Sequence, residues 1–393
     1  MKLKRSFPLA PFSNPTAKST LVLHIGGPKC GSSSLQTFLT QNSTLKTNAG
    51  EKIEYWKIQF NINKSRKMLF TPISRIKLSE GLKYEVSDRF EEELNEKCLH
   101  EIFENFVSEN SHNEQKIFVF SQEGWSHDFQ KAKAVKCKCN KTNFTILIYL
   151  SVRPQLDLLI PSYLQWTIFS ETPTLERTVD HLMEFSEWNQ QIENSKMLGA
   201  DKILVKYTPN IVEDFCNELK IDLGSVKYKP LKNINRSLPV EVIALLLKNR
   251  DLRPGPHASE MDFLIEDYLD KFDVETEKVV IKVAPAIVSS IEVHFRESNL
   301  KLENVLDHHN AFAYRERLVE SKNHLLDNHG ISDLTQIEID PKFLENFLVA
   351  LLKNSFELIQ KYDKALRELE SLSIQRASMP LNLVKLFRDF IGK

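Results

Sequence analysis

The chain has 393 residues, 41% of them hydrophobic, enough to bury a large core as one elaborated domain or two smaller ones. Lys and Arg number 52 against 53 Asp and Glu, a formal charge of -1, so no global positive excess drives nucleic-acid binding, and none is expected. The five cysteines (Cys30, Cys98, Cys137, Cys139 and Cys216) are odd in number and scattered, unlike a disulfide scaffold, and a reducing, cytoplasmic compartment is the expectation.

Residues 1–19 begin with positive charges, but prolines and polar residues interrupt any apolar signal core, and they read as a flexible leader. "TLVLHIG" (20–26) has the length and apolar content of a buried parallel strand. "SSSLQTFLTQN" (32–42) follows with Leu35, Phe38 and Leu39 at helical spacing. Three more apolar strands are predicted. "KIFVF" (116–120) runs into "SQEGW", "FTILIYLSV" (144–152) ends at Arg153, and "KILVKY" (202–207) follows a helical stretch over 178–198. Strands alternating with helices imply an α/β fold with a central parallel sheet covered on both faces. Ligands gather at the carboxyl ends of such strands. The sequence sets unusual polar residues there three times, at 29–34, 121–123 and 153–162.

The domain reading is a core over 20–240 and a mostly helical C-terminal part over 241–393, packed on the core. In "DPKFLENFLVALLKNSFELIQKYDKALRELESL" (340–372) Asp340 caps a helix and Pro341 suits its first turn. Its apolar stripe reads as packing on the body of the protein, or as a coiled coil. "MPLNLVKLFRDFIGK" at the end is amphipathic and reads as a docked helix or a surface anchor. The longest apolar stretches fall well below the roughly 18–20 residues that cross a bilayer, so no transmembrane span is expected.

The loop after the first strand raises the chemical question. Gly26 and Gly31 have the spacing of a phosphate-binding G-x-x-x-x-G-K-[ST] loop, but Ser32 and Ser33 follow, and the lysine comes earlier, at Lys29. Backbone N–H groups, a helix N-terminus and three consecutive hydroxyls still suit an anion. Without the lysine placed for a γ-phosphate, ATP or GTP hydrolysis is disfavoured, and a nucleotide with a different 5′ group is favoured.

"HIGGPKCGSSSLQ" resembles the 5′-phosphosulfate loop of sulfotransferases, usually close to H-I-G-x-P-K-T-G-T-T-S-L-Q, which use 3′-phosphoadenosine 5′-phosphosulfate as sulfuryl donor. The resemblance is to carbohydrate-directed, bacterial-type members and implies a P-loop-like parallel sheet. It implies that Lys29 contacts the oxygen bridging phosphate and sulfate, and that Cys30, Gly31, Ser32, Ser33 and Ser34 hold the 5′-phosphate. Cys30 departs from the family's usual Thr, with altered tuning and retained binding expected.

Two further segments are similar to the family in the same order. "IYLSVRPQLDLLIPSYLQW" is similar to its 3′-phosphate site, with Arg153 and Ser162 the matching pair, although their spacing is nine residues where eight is usual, and Pro161 intervenes. A local bulge is the expected way to absorb the extra residue. In "FVFSQEGW" Glu123 occupies the place of a catalytic glutamate, able to take the proton of an attacking hydroxyl. His127 and His24 are reserves, and His24, inside the apolar strand, also reads as a hydrogen-bonded core residue.

Weaker likenesses extend to about residue 240. "EWNQQIENSKMLGADKILVKYTP" resembles the family's tryptophan-bearing helix, glycine turn and strand. "NINRSLP" resembles an Asn-x-Ser-Leu segment in which Arg236 and Ser237 reach the 3′-phosphate or adenine side, a helix cap being the other reading of Ser237. "CKC" (137–139) has no second Cys or Cys/His pair at zinc spacing, and no metal is required. "KAKAVKCKCNK" reads as a solvated loop or as a patch for an acidic acceptor.

The expectation is sulfuryl transfer to an acceptor hydroxyl, most simply of a glycan, with Trp125, Gln165 and Trp166 near the acceptor. A nucleoside or metabolite kinase of the same fold, or a non-catalytic nucleotide-binding scaffold, are the alternatives.

Overall fold

The computed structural model describes residues 19–27, 29–61, 67–75, 96–110, 115–123, 144–197, 200–207, 209–222, 238–255, 280–327, 341–349 and 351–353, with some single positions besides. The chain forms two compact units, Met1–Ser237 with Val280–Ser332, and Leu238–Val279 with Asp333–Lys393. Residues 280–332, read above as part of a C-terminal section, belong to the first unit.

The first unit is an α/β structure built on a seven-stranded, mostly parallel sheet. Its strands are β1 (Ser19–His24), β2 (Thr44–Lys46), β3 (Lys52–Asn61), β4 (Lys67–Pro72), β5 (Lys116–Ser121), β6 (Phe144–Val152) and β7 (Lys202–Tyr207). The order is β2-β3-β5-β1-β6-β7, with β4 paired to β3. β3, β5, β1, β6 and β7 are mutually parallel, whereas β2 and β4 join antiparallel to β3.

The helices of this unit among the described residues are α1 (Ser32–Gln41), α2 (Glu96–Asn110), α3 (Gln155–Gln165), α4 (Leu175–Phe185), α5 (Trp188–Met197), α6 (Ile211–Glu218), α8 (Pro285–Glu303) and α9 (His308–Leu326), with α7 (Val240–Lys248) lying in the second unit. The helical stretch expected over 178–198 is two helices, broken between Phe185 and Trp188.

Period-two alternation assigns the strand residues to two cores. Leu21, Leu23, Phe118, Phe120, Ile146, Ile148 and Leu150 face one cluster, joined by α3, α5, α8 and α9 side chains such as Leu159, Trp188, Phe295 and Tyr314. Val22, Ile117, Val119, Leu147 and Tyr149 face the other, with Leu35 and Phe38 of α1 and Phe215 of α6. Both faces are buried, which is why the strands read as continuous apolar runs. Among the described residues no helix is long and apolar enough to cross a membrane.

This division of helices positions the site. α1, following β1, packs on one face, and α3, following the adjacent β6, packs on the other. Helices departing to opposite faces from neighbouring parallel strands leave a crevice at their carboxyl ends.

The second unit has its own buried residues, including Val242, Ile243 and Leu246 of α7 and Phe343 and Phe347 in the helical stretch 341–349. Arg253 and Asp262 form an ion pair of 2.7 Å there.

Candidate functional site

The β1–α1 loop first follows β6, with Ile25 N–H donating to Tyr149 O at 3.1 Å and Gly27 N–H to Ser151 O at 3.3 Å. Gly26 has no room for a side chain. A Cβ there would clash with Ser151 Oγ and lie 2.8 Å from His24 Nε2 and 3.3 Å from Ser32 Oγ. Lys29 and Gly31 both take left-handed backbone, at φ 63 and φ 90. Such turns aim successive N–H groups to one side and form an anion-binding concavity. No side chain caps the N-terminus of α1, so its helix-end N–H groups and the positive end of its dipole suit an anion.

Arg153 closes the other side. Its Nη1 donates to the Lys29 carbonyl at 2.9 Å, and its Nη2 lies 3.5 Å from Asp157 Oδ2 one turn along α3. Trp188 fixes the same corner from below: the indole N–H donates to the Arg153 carbonyl at 2.9 Å, and the ring fills the space a Gly27 side chain would need. The Lys29 ammonium lies 5.5 Å from the Trp166 ring centroid, in cation–π range.

Between these groups is a cavity of about 540 Å³ lined by residues that include Cys30, Gly31, Ser34, Arg153, Asp157 and Arg317. Its volume is that of a small-molecule site. Tyr207 at the end of β7, Asn210, and Ile211 at the start of α6 form a further wall. The helix N-terminus and the strand-end arginine therefore face one space.

The glutamate segment joins through β1. His24 is level with Ser121 in the β1–β5 register, and Gln122 N–H donates to His24 O at 3.0 Å. His24 Nδ1 and Ser121 Oγ are 2.7 Å apart, and Ser121 Oγ also accepts from Gln36 Nε2 of α1 at 3.1 Å. Burial lowers the His24 pKa to about 3, so the ring is neutral at ordinary pH, as its core reading requires. His24 Nε2, Ser32 Oγ and Ser151 Oγ are buried without a hydrogen-bond partner among the described residues.

Cys30 is not part of a disulfide and is 2% exposed. Burial pushes its thiol far up, Arg153 pulls it down, and the charges of Glu123 and Asp157 raise it further, so Glu123 lies within electrostatic reach of the loop. Cys30 is thus an un-ionised, unreactive thiol.

The chain matches no protein-family model, no curated protein and no solved structure. What the site can do follows from its own groups.

Of the residues singled out by sequence, the structure brings Cys30, Gly31, Ser34 and Arg153 to one cavity, with Lys29 in the loop and Ser32 and Ser33 in the first turn of α1 outside its lining. Ser162 is not brought there: it is 3% exposed and lies outside the cavity lining. The expected bulge is also absent from α3, which runs through Pro161 as one helix. Arg236, Ser237, Trp125, His127, residues 137–139 and Asp340 lie outside the described residues.

The sequence reading missed Asp157, Tyr207 and Arg317. Asp157, one helical turn after Arg153, was legible as an i,i+4 partner. Arg317 had no sequence signal, because only the fold brings α9 to the site.

Proposed function

We propose that the protein is a sulfotransferase with a P-loop-like fold, moving a sulfuryl group from 3′-phosphoadenosine 5′-phosphosulfate to an acceptor hydroxyl, with a carbohydrate as the acceptor class. The observation that carries this reading is the cavity in which the α1 N-terminus and Arg153 face each other. The donor nucleotide has two separate anionic ends, and the two anion-suited walls match that chemistry.

The residues present fit the nucleotide. The loop has the glycine Gly31 at positive φ, an uncapped helix end and a buried hydroxyl on Ser32 without a partner among the described residues. Ser32 stands where a nucleoside-triphosphate loop has its lysine, and its short buried side chain has no ammonium to give a γ-phosphate. Lys29 supplies the positive charge instead, steadied by Trp166.

In the reaction an acceptor oxygen attacks sulfur in line, the new S–O bond forms as the S–O bond to the phosphate breaks, and the acceptor proton passes to Glu123. Lys29 stabilises charge developing on the leaving phosphate. Orientation supplies the rest.

Calorimetry with adenosine 3′,5′-bisphosphate, ADP and magnesium–ATP tests the reading. Preference for the bisphosphate, followed by sulfuryl transfer to members of a glycan panel, is the expected result. Tighter binding of magnesium–ATP makes the protein a kinase, and bisphosphate binding without transfer to any acceptor makes it a nucleotide-binding scaffold.

A further inference from the structure

Arg317 lies 164 residues beyond Arg153, in a stretch to which the sequence assigned no role, yet both line the same cavity. The two guanidinium groups meet at one carboxylate. Arg317 Nε donates to Asp157 Oδ2 at 2.8 Å and to Oδ1 at 3.1 Å, while Arg153 Nη2 approaches Oδ2 at 3.5 Å. The Ser321 hydroxyl, one turn along α9 from Arg317, adds a bond of 2.5 Å to Oδ1. The Asp157 side chain is 6% exposed.

The charge count on this wall is informative. Two cations face one buried carboxylate. The other anion of the lining, Glu320, meets Arg317 Nη1 at 3.3 Å but has a side chain 66% exposed, so solvent and salt screen it. Tyr207 is neutral, its hydroxyl held above its usual range by burial and by Asp157. The lining is formally balanced, Arg153 and Arg317 against Asp157 and Glu320, with the carboxylate that joins the two arginines buried and the other carboxylate at the solvent edge.

Resting on the sulfotransferase reading, we propose that Arg317 is a second phosphate-binding arginine of the nucleotide site, which together with Arg153 selects the 3′-phosphate. Asp157 is the internal counter-ion that holds both guanidinium groups in place. Arg317, held by Asp157 through Nε and by Glu320 through Nη1, keeps the Nη2 donors, and each Nη of Arg153 keeps a second N–H beyond its bond to Lys29 O or its contact with Asp157, so both can reach a phosphate monoester dianion. The pair also covers the duty expected of Ser162, which is buried away from the cavity lining. Glu320 competes with the phosphate for Arg317 and sets a limit on affinity.

The test is calorimetric titration of the full chain with adenosine 3′,5′-bisphosphate and with adenosine 5′-monophosphate, in wild type, Arg317→Ala, Arg317→Lys and Glu320→Gln. In wild type the bisphosphate binds more tightly. Arg317→Ala should lose about 10- to 100-fold in bisphosphate affinity, the size of one or two charge-assisted hydrogen bonds, with the monophosphate little changed. Arg317→Lys should fall between. Glu320→Gln, on an exposed side chain that leaves the fold alone, should tighten the bisphosphate by about 2- to 3-fold.

Equal losses for both nucleotides in Arg317→Ala, or no loss, overturn the role of Arg317 and leave the sulfotransferase reading standing. If Arg317→Ala does not fold, Arg317→Lys and Glu320→Gln decide, and bisphosphate affinities equal to wild type in both overturn it. A wild type with no preference for the bisphosphate sinks the sulfotransferase reading itself.

Discussion

The Arg153 guanidinium donates to the main-chain carbonyl of Lys29 at 2.9 Å, across 124 residues of sequence. One side chain thus both faces the cavity and holds the loop on its far side. A carbonyl so occupied is turned away from any anion in the loop, which leaves the loop's N–H groups to do the binding.

Arg153→Lys keeps the charge but loses the planar fork that reaches Lys29 O and Asp157 together. Affinity for adenosine 3′,5′-bisphosphate should fall about 10-fold or more, the size of a charge-assisted bond. Titration calorimetry reads this directly, and an unchanged affinity would remove Arg153 from the nucleotide site.

Gly31 and Gly50 both hold left-handed backbone, but a Cβ on Gly31 would lie 3.1 Å from Ile211 Cγ2, whereas one on Gly50 meets nothing within 4 Å. Alanine at either position should cost about 1–2 kcal/mol of stability from the backbone conformation. Nucleotide binding should suffer in Gly31→Ala alone. Thermal melts paired with titrations separate the two effects, and equal binding losses would contradict the assignment of the loop.

His24 gives a pH signature. Its folded pKa of about 3 is below the ordinary 6.5, so between these values the unfolded chain binds a proton that the folded chain does not. The stability conferred by the neutral ring is complete above pH 6.5 and is lost as pH falls toward 3. Denaturant unfolding of His24→Gln from pH 7 to pH 4 should show a flatter decline than wild type. A slope equal to wild type would mean that His24 stays accessible to protons in the fold.

Glu123→Gln tests the base. Turnover with a glycan that accepts sulfate should drop about 100-fold or more, in the range of a lost general base. Bisphosphate binding should be retained. Turnover close to wild type would pass the proton to another group.

The sequence made β1, β5 and β6 legible because each is a short apolar run with both faces buried, and β7, a half-buried edge strand, by the apolar Ile203, Leu204 and Val205. β3 and β4 went unread. In "KIEYWKIQFN" charged residues interrupt the apolar ones, and the antiparallel pairing of β3 with β4 leaves no βαβ signature. The loop and Arg153 were legible because their chemistry is local, a strand end followed by a helix. The Asp157–Arg317–Ser321 cluster was not, since its members are up to 164 residues apart and nothing in a linear reading joins α3 to α9.

Ser162 was named by its place in the motif, and the structure buries it outside the cavity lining. Its position in the motif was readable, but motif spacing does not report the direction a helical side chain takes after an added residue, and each residue turns the face by about 100°.

The wall contributed by α9 also dictates where the protein can be cut. A fragment ending at Ser237 carries the anion loop and the Glu123 and Arg153 segments, yet it strips Asp157 of Arg317 and Ser321 and uncovers the parts of α3, α4 and α5 against which α8 packs. Such a fragment should aggregate on expression, with its nucleotide pocket open on one side. During synthesis the pocket likewise stays incomplete until the ribosome has released Arg317, 164 positions downstream of the arginine at its rim, so the anion loop emerges well before the wall that completes it.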